Sequence, residues 1–362
     1  MMTIADESPE DVARPQSLAG AQPGVRRSAL TGNLHLWVLP AHLVLAIFFT
    51  WPLALNLMPG AGSLVPGYMQ EDIDQNLWNL WWVRQAVLGG HNPFVTDMIW
   101  YPTPVSLYYH TLNVFNGLLA IPLLQFFSLT TVYNIIVLFS FVVGGYGAYL
   151  VVRYLCNNRW AAIVGSVVFT YSAYHIATMR GLLQLISLEW FPFFVLFLLL
   201  AVNQPAWRSR GDVGSWLLRR ALPAGAALLL VSLIDWYYTM YGLMFAGFFA
   251  TYLLVRGAFS KPNDGRWTMD DSSPRTGSPG TMVHGPSSIL RSAGEPVARV
   301  ALCIAVYAVL VSPILVPTLR ELGTTTYMQP APDEAIKNSA DLARFFQTPR
   351  FQQIWARYFT NW

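Results

Sequence analysis

Charge is scarce in this chain: Asp, Glu, Lys and Arg make up 11% of its 362 residues, where soluble globular domains carry roughly 25%. That shortage excludes a water-soluble fold, because 54% of the residues are hydrophobic and too few polar groups remain to cover them. Cysteine is rarer still, with Cys156 and Cys303 alone. Both fall near expected cytoplasmic helix ends, where thiols stay reduced, so no structural disulfide is expected. The formal net charge is +3, and the basic residues are scattered between apolar segments instead of clustering with aromatics, which argues against nucleic acid as a partner. Residues 1–33 lack the apolar core and small-residue cleavage site of a secretory signal, and read as a disordered cytoplasmic tail.

What is abundant is apolar sequence in runs long enough to cross a bilayer. Segments at 34–57, 132–154, 160–177, 185–202, 216–234, 238–255 and 297–317 predict an all-α membrane protein with about seven transmembrane helices in one bundle spanning residues 34–320. The first acts as an uncleaved signal anchor. Segment 112–127 is apolar but contains Pro122, and sixteen helical residues reach only about 24 Å against a hydrocarbon core of roughly 30 Å. It reads as interfacial or re-entrant. The positive-inside rule tests that choice. With seven spans the cytoplasmic side receives Arg14, Arg26 and Arg27; Arg153 and Arg159; Arg208, Arg210, Arg219 and Arg220; and Arg256, Lys261, Arg266, Arg275, Arg291 and Arg299. Before the C-terminal tail, only Arg84 and Arg180 stay outside. An eighth span would invert the later loops. The N terminus is therefore expected in the cytoplasm of a plasma-membrane protein. Residues 58–131 form the first external loop, 257–296 a flexible Gly/Pro/Ser-rich cytoplasmic loop, and 321–362 an external segment expected to be truncated.

The external loop holds Glu71, Asp72 and Asp74, followed by the Trp-rich run 77–84, which is expected to lie along the membrane surface as a helix because Trp favours the headgroup level. Carboxylates spaced as Asp72 and Asp74 suit a general base toward a hydroxyl, or a clamp for a divalent cation such as Mg or Mn on a phosphate; solvated loop charges are the plain alternative. His175, Arg180 and Glu189 fall at outer ends of the third and fourth spans. Ionisable groups at membrane depth are costly and face a partner or a watery cavity. Arg180 suits a lipid phosphate, since guanidinium binds phosphate bidentately; pairing with Glu189 is the structural reading. Asp235, in a tight external turn, and His110 are further candidates for lining a substrate site. His35 and His42 in the first span are expected to make helix-to-helix hydrogen bonds.

The run from Glu71 to Trp82, then Asn92-Pro93-Phe94, Tyr101-Pro102, Ser106-Leu107 and His110-Thr111, resembles the first external loop of bacterial GT-C membrane glycosyltransferases, the superfamily of oligosaccharyltransferase catalytic subunits and protein mannosyltransferases. The likeness continues through Tyr146-Gly147-Ala148-Tyr149-Leu150, Tyr171-Ser172-Ala173-Tyr174-His175 and Ser187-Leu188-Glu189-Trp190-Phe191-Pro192, and covers roughly residues 34–320. It implies a GT-C-like core with interfacial helices in the first external loop, and an essential acid there that Asp72 matches best, with Asp74 second. It also implies inverting transfer of a sugar from a polyprenyl-phosphate donor in the membrane lipid to an extracytoplasmic glycan or protein acceptor. The rival classes are a transporter or flippase for lipid-linked or polar substrates and a non-catalytic membrane subunit. Neither the sugar nor the acceptor is legible.

Overall fold

The computed structural model describes residues 35, 37–57, 70–179, 181–205, 207, 209–259 and 286–323. The expected tail at 1–33, most of the loop at 257–296, nearly all of segment 321–362 and Arg180 lie outside these. The described chain is mostly helical. Helices α1 (Val38–Phe49), α2 (Gln70–Leu88), α3 (Val114–Leu123), α4 (Leu129–Cys156), α5 (Arg159–Thr170) and α6 (Ala173–Thr178) are followed by α7 (Leu183–Ile186), α8 (Phe191–Val202), α9 (Arg210–Trp216), α10 (Leu222–Ser232), α11 (Trp236–Phe259) and α12 (Pro286–Leu322). A two-stranded antiparallel ribbon, β1 (Val95–Thr96) with β2 (Val105–Ser106), pairs Val95 with Ser106 and Thr96 with Val105 between α2 and α3.

Five helical stretches are long and apolar enough to cross a membrane: Leu129–Cys156, Arg159–Thr178, Leu183–Val202, Trp236–Gly257 and Gly294–Leu322. By length and composition this is a multi-pass membrane protein. Its helices also leave Phe48, Val164, Val168, Leu218, Phe248 and Val309 exposed, a surface suited to lipid and not to water. The other two expected spans take different forms. Segment 34–57 contains the 12-residue α1 and a 3-10 turn at Leu53–Leu57, and segment 216–234 passes from the end of α9 through a π turn, Leu217–Ala221, into α10. Segment 112–127 folds as the ten-residue α3, too short to cross.

Packing divides the chain into two units, Met1–Ser312 and Pro313–Trp362. In the first, α4 is the centre: α1, α2, α3, α5, α7 and α8 all pack on it. Its buried Val132, Tyr133, Ile136, Val137 and Phe141 meet Ala46, Leu53, Leu80, Leu183 and Ile186. The sequence dictates its ends. Ser128 caps the N terminus by accepting from Thr131 N. Asn157 stops it in the left-handed region at φ 50°, and Asn158 at once caps α5 by accepting from the backbone N–H of Trp160 and Ala161. Asn tolerates the first conformation and its amide oxygen supplies the second. The α4–α5 hairpin is thus written in two adjacent asparagines.

Trp82, Val83, Ala86, Leu107, Leu112 and Val114 form a separate apolar cluster that fastens α2 to the loop and to α3. Burying a Val or Leu there contributes about 1.5–3 kcal/mol.

Candidate functional site

Residues 171–190 were expected to be the ends of two spans and a short turn; they form instead a chain of broken helices. The α5 helix stops at Thr170. Ser172 caps α6 by accepting from His175 N, Gly181 at φ 129° turns the chain where a side chain would be strained, and α7 lasts a single turn. A one-turn helix leaves its carbonyls unpaired, and side chains from other helices take them up. The Leu185 carbonyl accepts from Tyr238 Oη of α11 at 2.6 Å. The Ile186 carbonyl accepts from Ser140 Oγ of α4 at 2.7 Å and lies 2.6 Å from His175 Nε2. Gln184 Oε1 accepts from Asn76 of α2, and Ser187 Oγ from Asn116 of α3. The single turn of α7 and the residue after it are thus tied to five helices by polar contacts, which is how irregular backbone is tolerated at membrane depth.

His175 and Glu189 belong to this hub. His175 is 1% exposed, its Nδ1 lies 2.7 Å from the Thr170 carbonyl, and its ring stacks on Phe141 at 4.4 Å. Glu189 is fully buried; its Oε2 lies 2.7 Å from Ser140 Oγ, while Oε1 has no hydrogen-bond partner among the described residues. Asn76 Oδ1 and Asn116 Oδ1 are likewise buried without a partner among them. Three buried acceptors around one broken helix thus carry unmet hydrogen-bonding capacity among the described residues. Arg180, the expected partner of Glu189 or of a phosphate, lies outside the described residues.

The acidic cluster was expected in a loop ahead of a surface helix at 77–84; it lies within α2, whose described length begins at Gln70. Asp72, Asn76 and Asn79 follow one another at helical spacing on one face. Asn76 Nδ2 reaches the carbonyls of Asp72 and Gly181, so the turn bearing Asp72 is clamped to the hub. Asp72 is half-buried and close enough to the Tyr133 phenol to act on it electrostatically. Asp74 is exposed. Two positions along a helix turn the side chain by about 200°, so Asp72 and Asp74 do not face each other, and no group of three or more His, Cys, Asp or Glu gathers among the described residues. The expectation that the pair holds a Mg or Mn ion does not fit this geometry.

His110 packs on the same helix. Its Nε2 lies 2.8 Å from Asn79 Oδ1, Asn79 Nδ2 donates to the Thr111 carbonyl, and Gln75 donates to Thr111 Oγ1 at 2.8 Å. Burial pushes the His110 imidazole below its ordinary range. Asp235 joins α10 to α11 and is 4% exposed. Its Oδ1 accepts from the backbone N–H of Tyr237 at 2.7 Å and Tyr238 at 3.3 Å. Asp235 is therefore the N-cap of α11, which accounts for it without a ligand; burial still raises its carboxyl, outweighing those two bonds. Alongside the hub, Phe169, Ser172, Tyr174, Leu188, Phe191, Tyr238 and Tyr241 line an open groove of about 430 Å³.

Sequence reasoning passed over Asn76, Asn79, Asn116, Ser140 and Gln184. Polar side chains within otherwise apolar or aromatic helices were the available signal. No protein-family model, no curated protein and no solved structure matches the chain.

Proposed function

We propose that this protein is a multi-pass membrane glycosyltransferase of the GT-C type, using Asp72 as its base and a polyprenyl-phosphate sugar as its donor. The observation that carries the reading is the clamp of Asn76 on Gly181 and Gln184, which holds the Asp72 turn beside a buried polar hub in a lipid-facing bundle. The tyrosine-lined groove borders the same broken segment and suits an isoprenoid chain. In this reading the whole segment 34–57, of which α1 is the helical middle, and the helical track 210–232 complete seven crossings, the N terminus is cytoplasmic, and α2 and α3 lie at the outer surface.

The chemistry is a single displacement. Asp72 takes the proton of the acceptor hydroxyl as its oxygen bonds to the anomeric carbon, the bond from that carbon to the phosphate oxygen breaks, and polyprenyl phosphate leaves with inversion. His110 orients the substrates, the buried His175 and Glu189 act through the broken segment they hold, and Arg180 steadies the departing phosphate. The test is transfer from a polyprenyl-phosphate sugar in proteoliposomes. Asp72→Asn should lower it by about two to four orders of magnitude with folding intact, and Asp74→Asn should lower it little. Wild-type transfer by Asp72→Asn rejects the base.

One observation favours transport as a second reading. Broken helices carrying buried ionisable groups, as at His175 and Glu189, are also the sites of secondary transporters. Translocation of the lipid-linked sugar by wild type without any transfer selects it.

A further inference from the structure

A cavity of about 320 Å³ lies between α1, α4 and α5, walled by Trp37, Ala41, Leu45, Tyr149, Ile163 and Val167. The cavity shares none of its lining residues with the hub, although its His42 packs on Gly145 of α4, next to Gly144 where the hub's Glu189 packs. Among the described lining residues Arg159 carries the only charged side chain, beside the polar atoms of His42, Ser166, Tyr149 and the two tryptophans. His42 and Ser166, bonded at 3.1 Å, close its floor. Arg159, exposed, lies among its lining residues, its guanidinium 5.1 Å over the ring of Trp160. Among the described residues no carboxylate forms a salt bridge with it. Trp37 and Trp160 are 73% and 65% exposed, as aromatic side chains are at the headgroup level.

An apolar shaft with one unneutralised arginine and two tryptophans at its mouth matches an anionic lipid. We propose that this cavity binds one acyl chain of an anionic phospholipid, whose phosphate is held by Arg159. Guanidinium offers the phosphate two parallel donors, whereas a zwitterionic headgroup returns a cation to the same place. The site is independent of the glycosyltransferase reading.

Native mass spectrometry of the detergent-purified full chain tests it, with phosphatidylglycerol and phosphatidylcholine of identical chains titrated separately. One phosphatidylglycerol should bind roughly tenfold more tightly than phosphatidylcholine, whose choline cation opposes the arginine that its phosphate attracts. Arg159→Gln should remove the preference, and Ala41→Trp, which fills the shaft and keeps the charge, should weaken binding of both lipids. Equal affinity for the two lipids in wild type overturns the proposal, as does a preference that survives Arg159→Gln. Binding untouched by Ala41→Trp overturns the seating of the chain in this cavity. Elution of both variants at the wild-type volume shows that lost binding is not lost fold.

Discussion

The imidazole of His42 occupies the space that a side chain at position 145 would need: a Cβ on Gly145 would stand 2.3 Å from His42 Nδ1. The ring is held there from the far side by Ser166 and lies 5.9 Å from the stacked ring of Tyr171, so it has no room to retreat. This contact lets α1 approach α4 closely, as small residues do where helices cross in lipid. Gly145→Ala should destabilise the protein by about 1–3 kcal/mol, the cost of overpacking a filled interior. Thermal unfolding in detergent measures it. His42→Ala in the same chain should recover part of the loss, because the two residues share one space. Additive losses would rule out the clash.

Arg299 does for α8 what a C-terminal cap does for a shorter helix. It is 2% exposed, donates to the carbonyls of Val202, Gln204 and Pro205, pairs with Glu295, and lies 5.0 Å over the Trp207 ring. Lysine keeps the charge but not the fork. Arg299→Lys should therefore destabilise by about 1–3 kcal/mol, the penalty for buried acceptors left unsatisfied. Hydrogen exchange should quicken at the end of α8 before it does in α4. Uniform quickening would show that Arg299 does not act locally.

The apolar runs 132–154, 160–177, 185–202, 238–255 and 297–317 were legible as spans because length and hydropathy alone determine such segments. The hub around α7 was not. Its making depends on Asn76, Asn116, Ser140 and Tyr238 arriving from four distant helices, and no local pattern registers that. Its breaks were written in Ser172, Gly181 and Pro192, yet an apolar background hid them. Arg299 counted simply as a cytoplasmic charge, because its acceptors are backbone carbonyls almost a hundred residues earlier. The Asp72–Asp74 pair was open to three readings in a loop, a general base, a cation clamp or solvated charge; a helical backbone sends its two carboxylates apart and disfavours the clamp.

The His110 imidazole gives a pH dependence with a definite sign. Burial lowers its folded-state pKa below the ordinary imidazole value of 6.5. The unfolded chain therefore binds the proton first, and stability is full above about pH 6.5 and declines as pH falls from there toward the folded pKa. His110→Gln should flatten the stability curve through that window. An unchanged slope in the variant would assign the dependence elsewhere.

Topology offers a direct check through Cys156, exposed at the end of α4, and Asp74, exposed on α2. The positive-inside count sets them on opposite sides. In intact cells a membrane-impermeant maleimide should label cysteine substituted for Asp74 in a Cys156→Ser background, and should leave native Cys156 unlabelled until the membrane is opened. Labelling of Cys156 from outside would invert the proposed arrangement and remove Asp72 from an external site.

Asp235 separates a capping role from a ligand role. Its Oδ1 accepts from two backbone N–H groups at the start of α11, and an amide oxygen can do the same. Burial raises the Asp235 carboxyl, so the ion is not what the fold prefers. With the folded pKa above the ordinary carboxyl value of 3.8, stability falls as pH rises from there to the folded pKa, and the full cost of the charge is present above it. Asp235→Asn should therefore be neutral or slightly stabilising near pH 7, while Asp235→Ala, which removes the acceptor, should cost about 1 kcal/mol. The same pair read in a glycosyl-transfer assay distinguishes the roles. A cap predicts that Asp235→Asn keeps wild-type transfer at wild-type stability. Transfer lost in Asp235→Asn while its unfolding midpoint stays put would mean that the carboxylate meets substrate, and the cap would then be the lesser of its two tasks.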